Sequence, residues 1–142
     1  MTSLLRISEA SSLALHTVTV LAGSPNRVRS ARGVARALGA SETHLAKVLQ
    51  RLAKAGIVRS TRGPKGGFKL AKPADEITFL DVYEAIEGRL VTTDCLLDKP
   101  VCGGACMMGG LLHDVNALVA ARLRGTKVSD VGLSVNGWSD NA

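Results

Sequence analysis

Apolar residues recur at helical spacing in three segments near the start of the chain, and each segment begins at a serine and stops at a glycine. The segments span residues 8–23, 30–39 and 41–56. Serine is a favoured helix N-cap, and glycine ends helices because it tolerates a left-handed backbone. Each segment therefore predicts an amphipathic helix. Their inward faces carry Ala10, Leu13, Ala14, Val18, Leu21, Val34, Ala35, Leu38, Leu45, Val48, Leu49 and Leu52.

The hydrophobic pattern changes after the third helix. Two short apolar runs, 57–61 and 67–70, flank the turn sequence Arg-Gly-Pro-Lys-Gly of residues 62–66. Glycine and proline favour a tight turn, so this segment predicts a β-hairpin with cations at its tip. The two preceding helices, joined by a short glycine-containing turn, form a helix-turn-helix pattern. A basic hairpin directly after them is typical of a wing.

Two further helices are predicted beyond the hairpin. Residues 78–88 place Phe79, Val82 and Ile86 on one face, and residues 107–124 carry a broader apolar stripe. That stripe is wider than a small domain needs to cover itself, which favours a dimer interface. Its apolar positions are Leu111, Leu112, Val115, Leu118, Val119 and Leu123.

These elements predict a mostly α fold with a small β-hairpin wing. We expect a winged helix-turn-helix DNA-binding domain over residues 1–88 and a cysteine-containing loop over 89–106. A long C-terminal dimerisation helix and a short end helix follow over 107–131. Residues 132–142, rich in glycine, serine and asparagine, predict a flexible tail.

The basic residues are concentrated in the predicted helix-turn-helix and wing. The whole chain has a formal net charge of +6. Residues 27–72 hold twelve lysines and arginines and one acidic residue, Glu42, whereas the rest holds six basic and eleven acidic residues. Such regional basicity indicates a surface that binds a polyanion.

Double-stranded DNA is the polyanion that this fold pattern favours. The N-terminal residues of the second helix of a helix-turn-helix contact base edges in the major groove, while neighbouring cations contact phosphates. The candidate base contacts are Ser41, Glu42, Thr43, His44 and Lys47. The candidate phosphate contacts are Arg29, Arg32, Arg51, Arg62, Lys65 and Lys69.

All three cysteines of the chain, Cys95, Cys102 and Cys106, fall within twelve residues that also contain glycine and proline. Thiolates select zinc, copper(I) and iron-sulfur clusters. The spacings of six and three intervening residues match neither paired zinc ligands nor the bacterial ferredoxin motif. The residues alone therefore leave two alternatives, a metal centre and a thiol redox switch.

A fourth ligand is not supplied by the loop itself. By residue type the candidates are Glu9, Ser12, His16 and His113. The first three lie on the first predicted helix, from which a second subunit of a dimer could supply them.

Several classes of protein are disfavoured by the sequence. No apolar run reaches the roughly 20 residues of a membrane-spanning helix, and three clustered cysteines argue against a secreted disulfide scaffold. We therefore predict a cytoplasmic protein that does not enter a membrane. No nucleophile–base pair or carboxylate pair stands out, so an enzyme is not predicted.

Two motifs resemble the winged-helix transcriptional regulator family of IscR, NsrR and CymR, the Rrf-two type. One is the wing sequence Val-Arg-Ser-Thr-Arg-Gly-Pro-Lys-Gly-Gly-Phe at 58–68, and the other is the three-cysteine loop before a long helix. The resemblance covers roughly residues 5–131 and includes the start at Arg6-Ile-Ser.

The resemblance implies a homodimer that crosses its C-terminal helices and binds a palindromic operator. It also implies, for many members, a [2Fe-2S] or [4Fe-4S] iron-sulfur cluster held by the three cysteines and one further residue. The chain departs from the family's usual cysteine spacing, and Gly109 stands where some members have a histidine ligand. Ser12 stands where others have an aspartate. Glu9 or His113 is then the expected fourth ligand.

The combined prediction is a DNA-binding transcriptional regulator that senses redox state, nitric oxide or iron-sulfur status through its cluster. One alternative is a cluster-free regulator that responds through thiol oxidation or a small metabolite. A second alternative is a small redox protein whose basic face docks an acidic partner.

Overall fold

The computed structural model describes residues 6–91 and 95–131, and its helices and strands follow the predicted order. The five helices are α1 (Glu9–Ala22), α2 (Ala31–Leu38), α3 (Glu42–Lys54), α4 (Phe79–Glu87) and α5 (Gly109–Gly125). The two strands are β1 (Val58–Thr61) and β2 (Gly67–Leu70), and short 3₁₀ turns occupy Ala74–Glu76 and Val128–Asp130. The mostly α fold with a β-hairpin wing is confirmed. The predicted tail, 132–142, lies outside the described residues.

Side-chain caps set the starts of the first four helices. Ser8, Ser30 and Ser41 accept hydrogen bonds from backbone amides three residues later, at the starts of α1, α2 and α3. Thr78 does the same for α4, and the Asp81 carboxylate accepts a bond from the Thr78 amide. These bonds satisfy amides that lack a partner within the helix. The starts predicted from the serines and Thr78 are therefore confirmed.

One hydrophobic core joins the helix-turn-helix, the root of the wing and α4. The inner face of α3 supplies Leu45, Leu49 and Leu52, which are completely buried. Around them pack residues from α1, α2, α4 and both strands, together with Val128 from the 3₁₀ turn that follows α5. The buried residues of this core are Ala14, Val18, Leu21, Val34, Ala35, Leu45, Val48, Leu49, Leu52, Ile57, Val58, Leu70, Ile77, Val82, Ile86 and Val128.

The wing is attached to the segment that precedes α2. Strands β1 and β2 pair antiparallel, with Val58 opposite Leu70. The Arg29 amide donates to the Phe68 carbonyl at 2.9 Å, and the Phe68 amide donates to the Arg29 carbonyl at 2.7 Å. A Cβ at Gly67 would lie 2.3 Å from the Arg29 carbonyl oxygen. Only a residue without a side chain permits this approach.

Helix α5 packs against α4 but leaves much of its apolar stripe exposed. It begins at Gly109, two residues later than predicted. Leu112 is completely buried, whereas Leu111 is 54% exposed and Leu118 is 68% exposed. The apolar surface that was assigned to a dimer interface is therefore present on the outside of the subunit. Dimerisation through α5 stays a prediction.

A carboxylate connects the start of α1 to the end of α4. The Ser8 amide donates to Glu87 Oε1 at 3.1 Å, and the hydroxyls of Ser8 and Ser11 donate to the same oxygen. Burial raises the pKa of Glu87, but the hydrogen bonds from Ser11 and Ser8 and the charge of Arg6 outweigh it. The pKa of Glu87 consequently lies below its usual value.

Helices long and apolar enough to cross a membrane do not occur among the described residues.

We expect Gly67→Ala to destabilise the protein by about 1–3 kcal/mol, because the new methyl group overlaps the Arg29 carbonyl oxygen and overpacking costs that much. Urea denaturation followed by circular dichroism measures the change. Gly125→Ala is the matched control, since a Cβ there has no neighbour within 4 Å. Equal stability of the two variants would contradict the close approach at Gly67.

We expect Glu87→Gln to lower the free energy of unfolding by about 1 kcal/mol at pH 7, since charge-assisted hydrogen bonds are lost at a half-buried site. The folded-state pKa of Glu87 lies below the unfolded value of 4.5. The carboxylate's stabilisation is therefore complete above pH 4.5 and disappears as the pH falls through the folded-state pKa. The difference between the thermal melts of wild type and variant should shrink as the pH falls below 4.5, and a constant difference would contradict this account.

Candidate nucleic-acid interface and cysteine pocket

The first turn of α3 presents most of the predicted base contacts at the surface. Glu42, Thr43 and Lys47 are exposed, and His44 is half-buried. The Ser41 hydroxyl accepts a hydrogen bond from the His44 amide at 3.4 Å, so it also caps the helix. The free surface of α3 begins at its N-terminal turn, which is the part of a recognition helix that enters the major groove.

Two of these side chains contact residues of neighbouring helices. Arg32 Nε of α2 lies 3.2 Å from Glu42 Oε2, and Glu9 Oε1 of α1 lies 3.6 Å from His44 Nδ1. Both pairs are exposed, so each contributes at most about 1 kcal/mol to stability. These contacts place Glu42 beside α2 and His44 beside α1. Sequence reasoning did not find these pairs, because no local pattern marks a contact between helices.

The wing carries its cations at the turn. Arg62 and Lys65 are exposed, and a hydrogen bond of 2.9 Å from the Gly66 amide to the Gly63 carbonyl closes the turn between them. Lys69, on β2, is half-buried. Arg62 and Lys65 thus lie on the surface of the wing, as the predicted phosphate contacts require.

Two other predicted phosphate contacts have partners within the protein. Arg29 is only 8% exposed, and its Nη2 donates to Ser24 Oγ at 3.0 Å. Arg51, in the last turn of α3, is exposed but donates through Nη2 to the Ile86 carbonyl of α4. Contact of these two residues with DNA stays a prediction, and the structure gives each an intramolecular contact.

A separate pocket brings the three cysteines together with one histidine. It has a volume of about 460 Å³ and is lined by Cys95, Pro100, Cys102, Gly104, Cys106, Gly110 and His113. Cys102 and Cys106 are exposed, whereas Cys95 is half-buried. Cys95 Sγ accepts a hydrogen bond from the Leu97 amide at 3.4 Å.

His113 enters the pocket because it lies near the start of α5, which begins directly after the loop. The other three candidates for a fourth ligand are on α1 and are not part of the lining. Glu9 contacts His44, and His16 Nδ1 lies 2.7 Å from the Ser12 carbonyl. Of the four candidates, His113 is therefore the one that lies with the cysteines in the described part of the chain.

The donors of the pocket are those that an iron-sulfur cluster or zinc requires, namely thiolates and an imidazole. They are not yet arranged around one point. Among the described residues, no group of three or more histidine, cysteine or acidic side chains is close enough to hold a metal ion. Positive φ angles at Gly103 (59°) and Gly104 (92°) show a loop whose backbone depends on glycine. The chemistry of the donor set fits a cluster, and ligation requires the loop to close.

Comparison with known proteins gives matches over most of the chain. The profile of the Rrf2 family, described as an iron-dependent transcriptional regulator, matches residues 7–132. Protein aau3 of Rhizobium meliloti is 30% identical over 131 residues, which cover 89% of this chain and 84% of that protein. The transcriptional regulator NsrR of Shouchella clausii is 28% identical over 134 residues, covering 92% and 90%.

A solved structure shows the same fold. CymR, the global cysteine regulator of B. subtilis, superposes with a TM-score of 0.76 at 26% identity, covering 89% of this chain and 95% of that one. The matches are to transcriptional regulators, which confirms the prediction of a regulator over an enzyme. They also count against the alternative of a small redox protein. From residue 7 to the end of the described region, this chain belongs to the Rrf2 family of transcriptional regulators.

Proposed function

We propose that this protein is a cytoplasmic, homodimeric transcription factor that binds a palindromic operator and senses redox state, nitric oxide or iron-sulfur status. The observation that carries the proposal is the common pocket of Cys95, Cys102, Cys106 and His113. It lies in a member of a family described as iron-dependent, and the winged region of the same chain is strongly basic.

In the DNA complex, α3 and the wing make different kinds of contact. Thr43, His44 and Lys47 contact base edges from the first turns of α3. Arg62 and Lys65 contact phosphates or the minor groove from the wing. Two subunits place two copies of α3 about 34 Å apart, one helical turn of DNA, so a small change in their separation alters the fit to both half-sites.

On the sensing side, Cys95, Cys102 and Cys106 hold an iron-sulfur cluster, and His113 of the same subunit is the fourth ligand. When bound, the cluster supplies a centre whose charge and ligation respond to oxidation, nitric oxide or iron supply. The glycines of the loop allow the cysteines to converge, and α5 carries His113 at a fixed position beside them. We expect the cysteine loop and α5 to have one relative arrangement when the cluster is bound and a different one when it is absent.

A second candidate is a cluster-free regulator that responds through its thiols. The exposure of Cys102 and Cys106 favours it, because accessible thiols are the ones that oxidants reach. On this alternative the two exposed cysteines change oxidation state, and the same loop transmits the change to the winged domain.

DNA binding should show the salt dependence of a phosphate interface. For about six phosphate contacts, affinity for a duplex selected from a random pool should fall on the order of 10³-fold between 50 and 200 mM salt. We expect Lys65→Ala to reduce the slope of log Kd against log salt by about 1. Lys99→Ala, an exposed lysine outside the basic region, is the control and should leave the slope unchanged. Absence of binding even at low salt would overturn the DNA-binding proposal.

The cluster is tested on protein purified without oxygen. We expect absorbance roughly between 320 and 460 nm, with matching iron and sulfide content. Cys102→Ala should abolish both while the dimer persists in size-exclusion chromatography, because the core contains no cysteine.

The fourth ligand is tested on the same samples. His113→Ala should lower the iron content or shift the visible spectrum, whereas His16→Ala should do neither. If wild-type protein contains no iron and cannot be reconstituted, the cluster-free thiol regulator is favoured over the cluster-binding one. A His113→Ala protein with an unchanged spectrum would exclude His113 as a ligand.

A further inference from the structure

Arg51 joins the recognition helix to the last turn of α4. It lies in the last turn of α3, and its Nη2 donates to the backbone carbonyl of Ile86. The two residues are 35 positions apart in the chain. The contact therefore connects two helices that meet only through the fold.

The acceptor of this bond belongs to a helix end. Helix α4 ends at Glu87, so the Ile86 carbonyl is among the last four, which have no amide partner within the helix. A cation near a helix C-terminus is also favoured by the helix dipole. Arg51 thus supplies a donor to the Ile86 carbonyl. If the same side chain contacted a phosphate instead, this carbonyl would lose that donor.

The end of α4 has two more contacts, one on each side of Ile86. Glu87 accepts hydrogen bonds from Ser8 and Ser11 at the start of α1. Glu84 Oε1 accepts one from the Leu90 amide at 3.0 Å, which fixes the first residues after the helix. From there the chain proceeds to Cys95, eight residues after Glu87. The last turn of α4 is therefore the point at which the cysteine loop is attached to the winged domain.

The other end of the cysteine loop also reaches α4. Helix α5, which carries His113, packs against α4. Both boundaries of the pocket are in this way anchored on the helix whose last turn Arg51 contacts. A change in the arrangement of the loop therefore has a path to α4 through both of its ends.

We propose that Arg51 is a positioning residue that couples the state of the cysteine pocket to the placement of α3 on DNA. This inference rests on the proposed function, in which the pocket has two states. The guanidinium carries a shift at the end of α4 to the last turn of α3. The first turn of the same helix then changes its position in the major groove.

The experiment compares Arg51→Gln with wild type and with Lys54→Gln, an exposed lysine in the same turn of α3. For each protein, Kd for the selected duplex is measured with and without the cluster, over a range of salt. We expect a ratio of the two Kd values on the order of tenfold in wild type and in Lys54→Gln. In Arg51→Gln the ratio should fall to about 1–2, with iron content retained and the salt slope unchanged.

Two outcomes would overturn the inference. If Arg51→Gln keeps the full ratio but loses about 0.9 from the salt slope, Arg51 is a phosphate contact and not a positioning residue. If wild type binds the duplex with the same Kd with and without the cluster, the proposed function fails and the coupling fails with it. The first failure is seen only in the variant and the second in wild type, so the two are distinguishable.

A milder variant covers the case in which Arg51→Gln does not fold. Arg51→Lys keeps the positive charge but replaces the planar guanidinium with a single ammonium group. We expect it to keep the salt slope and to lose most of the ratio. Hydrogen exchange provides the structural check, because the amides of Gly88 and Leu90 should exchange faster when the end of α4 loses its donor. Full retention of the ratio in Arg51→Lys, together with faster exchange, would overturn the inference.

Discussion

Burial of one face of α3 is the constraint on which the rest of the molecule depends. Leu45, Leu49 and Leu52 are completely removed from solvent by α1, α2, α4 and the root of the wing. When one side of a helix is buried in a core, the residues on the opposite side are necessarily exposed to solvent. The outward face of its first two turns carries Glu42, Thr43 and Lys47. The orientation of the surface that we propose to contact DNA is therefore a consequence of core packing.

The helix starts and the wing could be predicted from the sequence because their signals are local. Ser8, Ser30, Ser41 and Thr78 cap their helices through bonds to amides three residues away, so a short stretch of sequence contains the whole interaction. The clustering of the cysteines is equally visible, since all three fall in one loop. Local chemistry of this kind is preserved whatever the rest of the chain does.

Contacts between distant segments could not be predicted in this way. The sequence suggested phosphate contacts for Arg29 and Arg51, but the fold buries the first and directs the second to Ile86. Residue type also could not distinguish Glu9 from His113 as a ligand. The choice depends on where α1 and α5 begin relative to the loop, and that is set by packing across the core. Charge and residue type define what a side chain can bind, and the fold decides which partner is within reach.

The exposure of the cysteine pocket has a kinetic consequence. Cys102 and Cys106 are open to solvent, so a small diffusible oxidant meets their sulfur atoms without waiting for a local opening of the protein. A buried thiol would respond at the rate of such opening, which spans microseconds to seconds. Here the delay between a chemical signal and the first reaction is set by the concentration of the signal and its intrinsic reactivity. Selectivity among oxidants then comes from chemistry at the sulfur atoms, because no described residue covers Cys102 or Cys106.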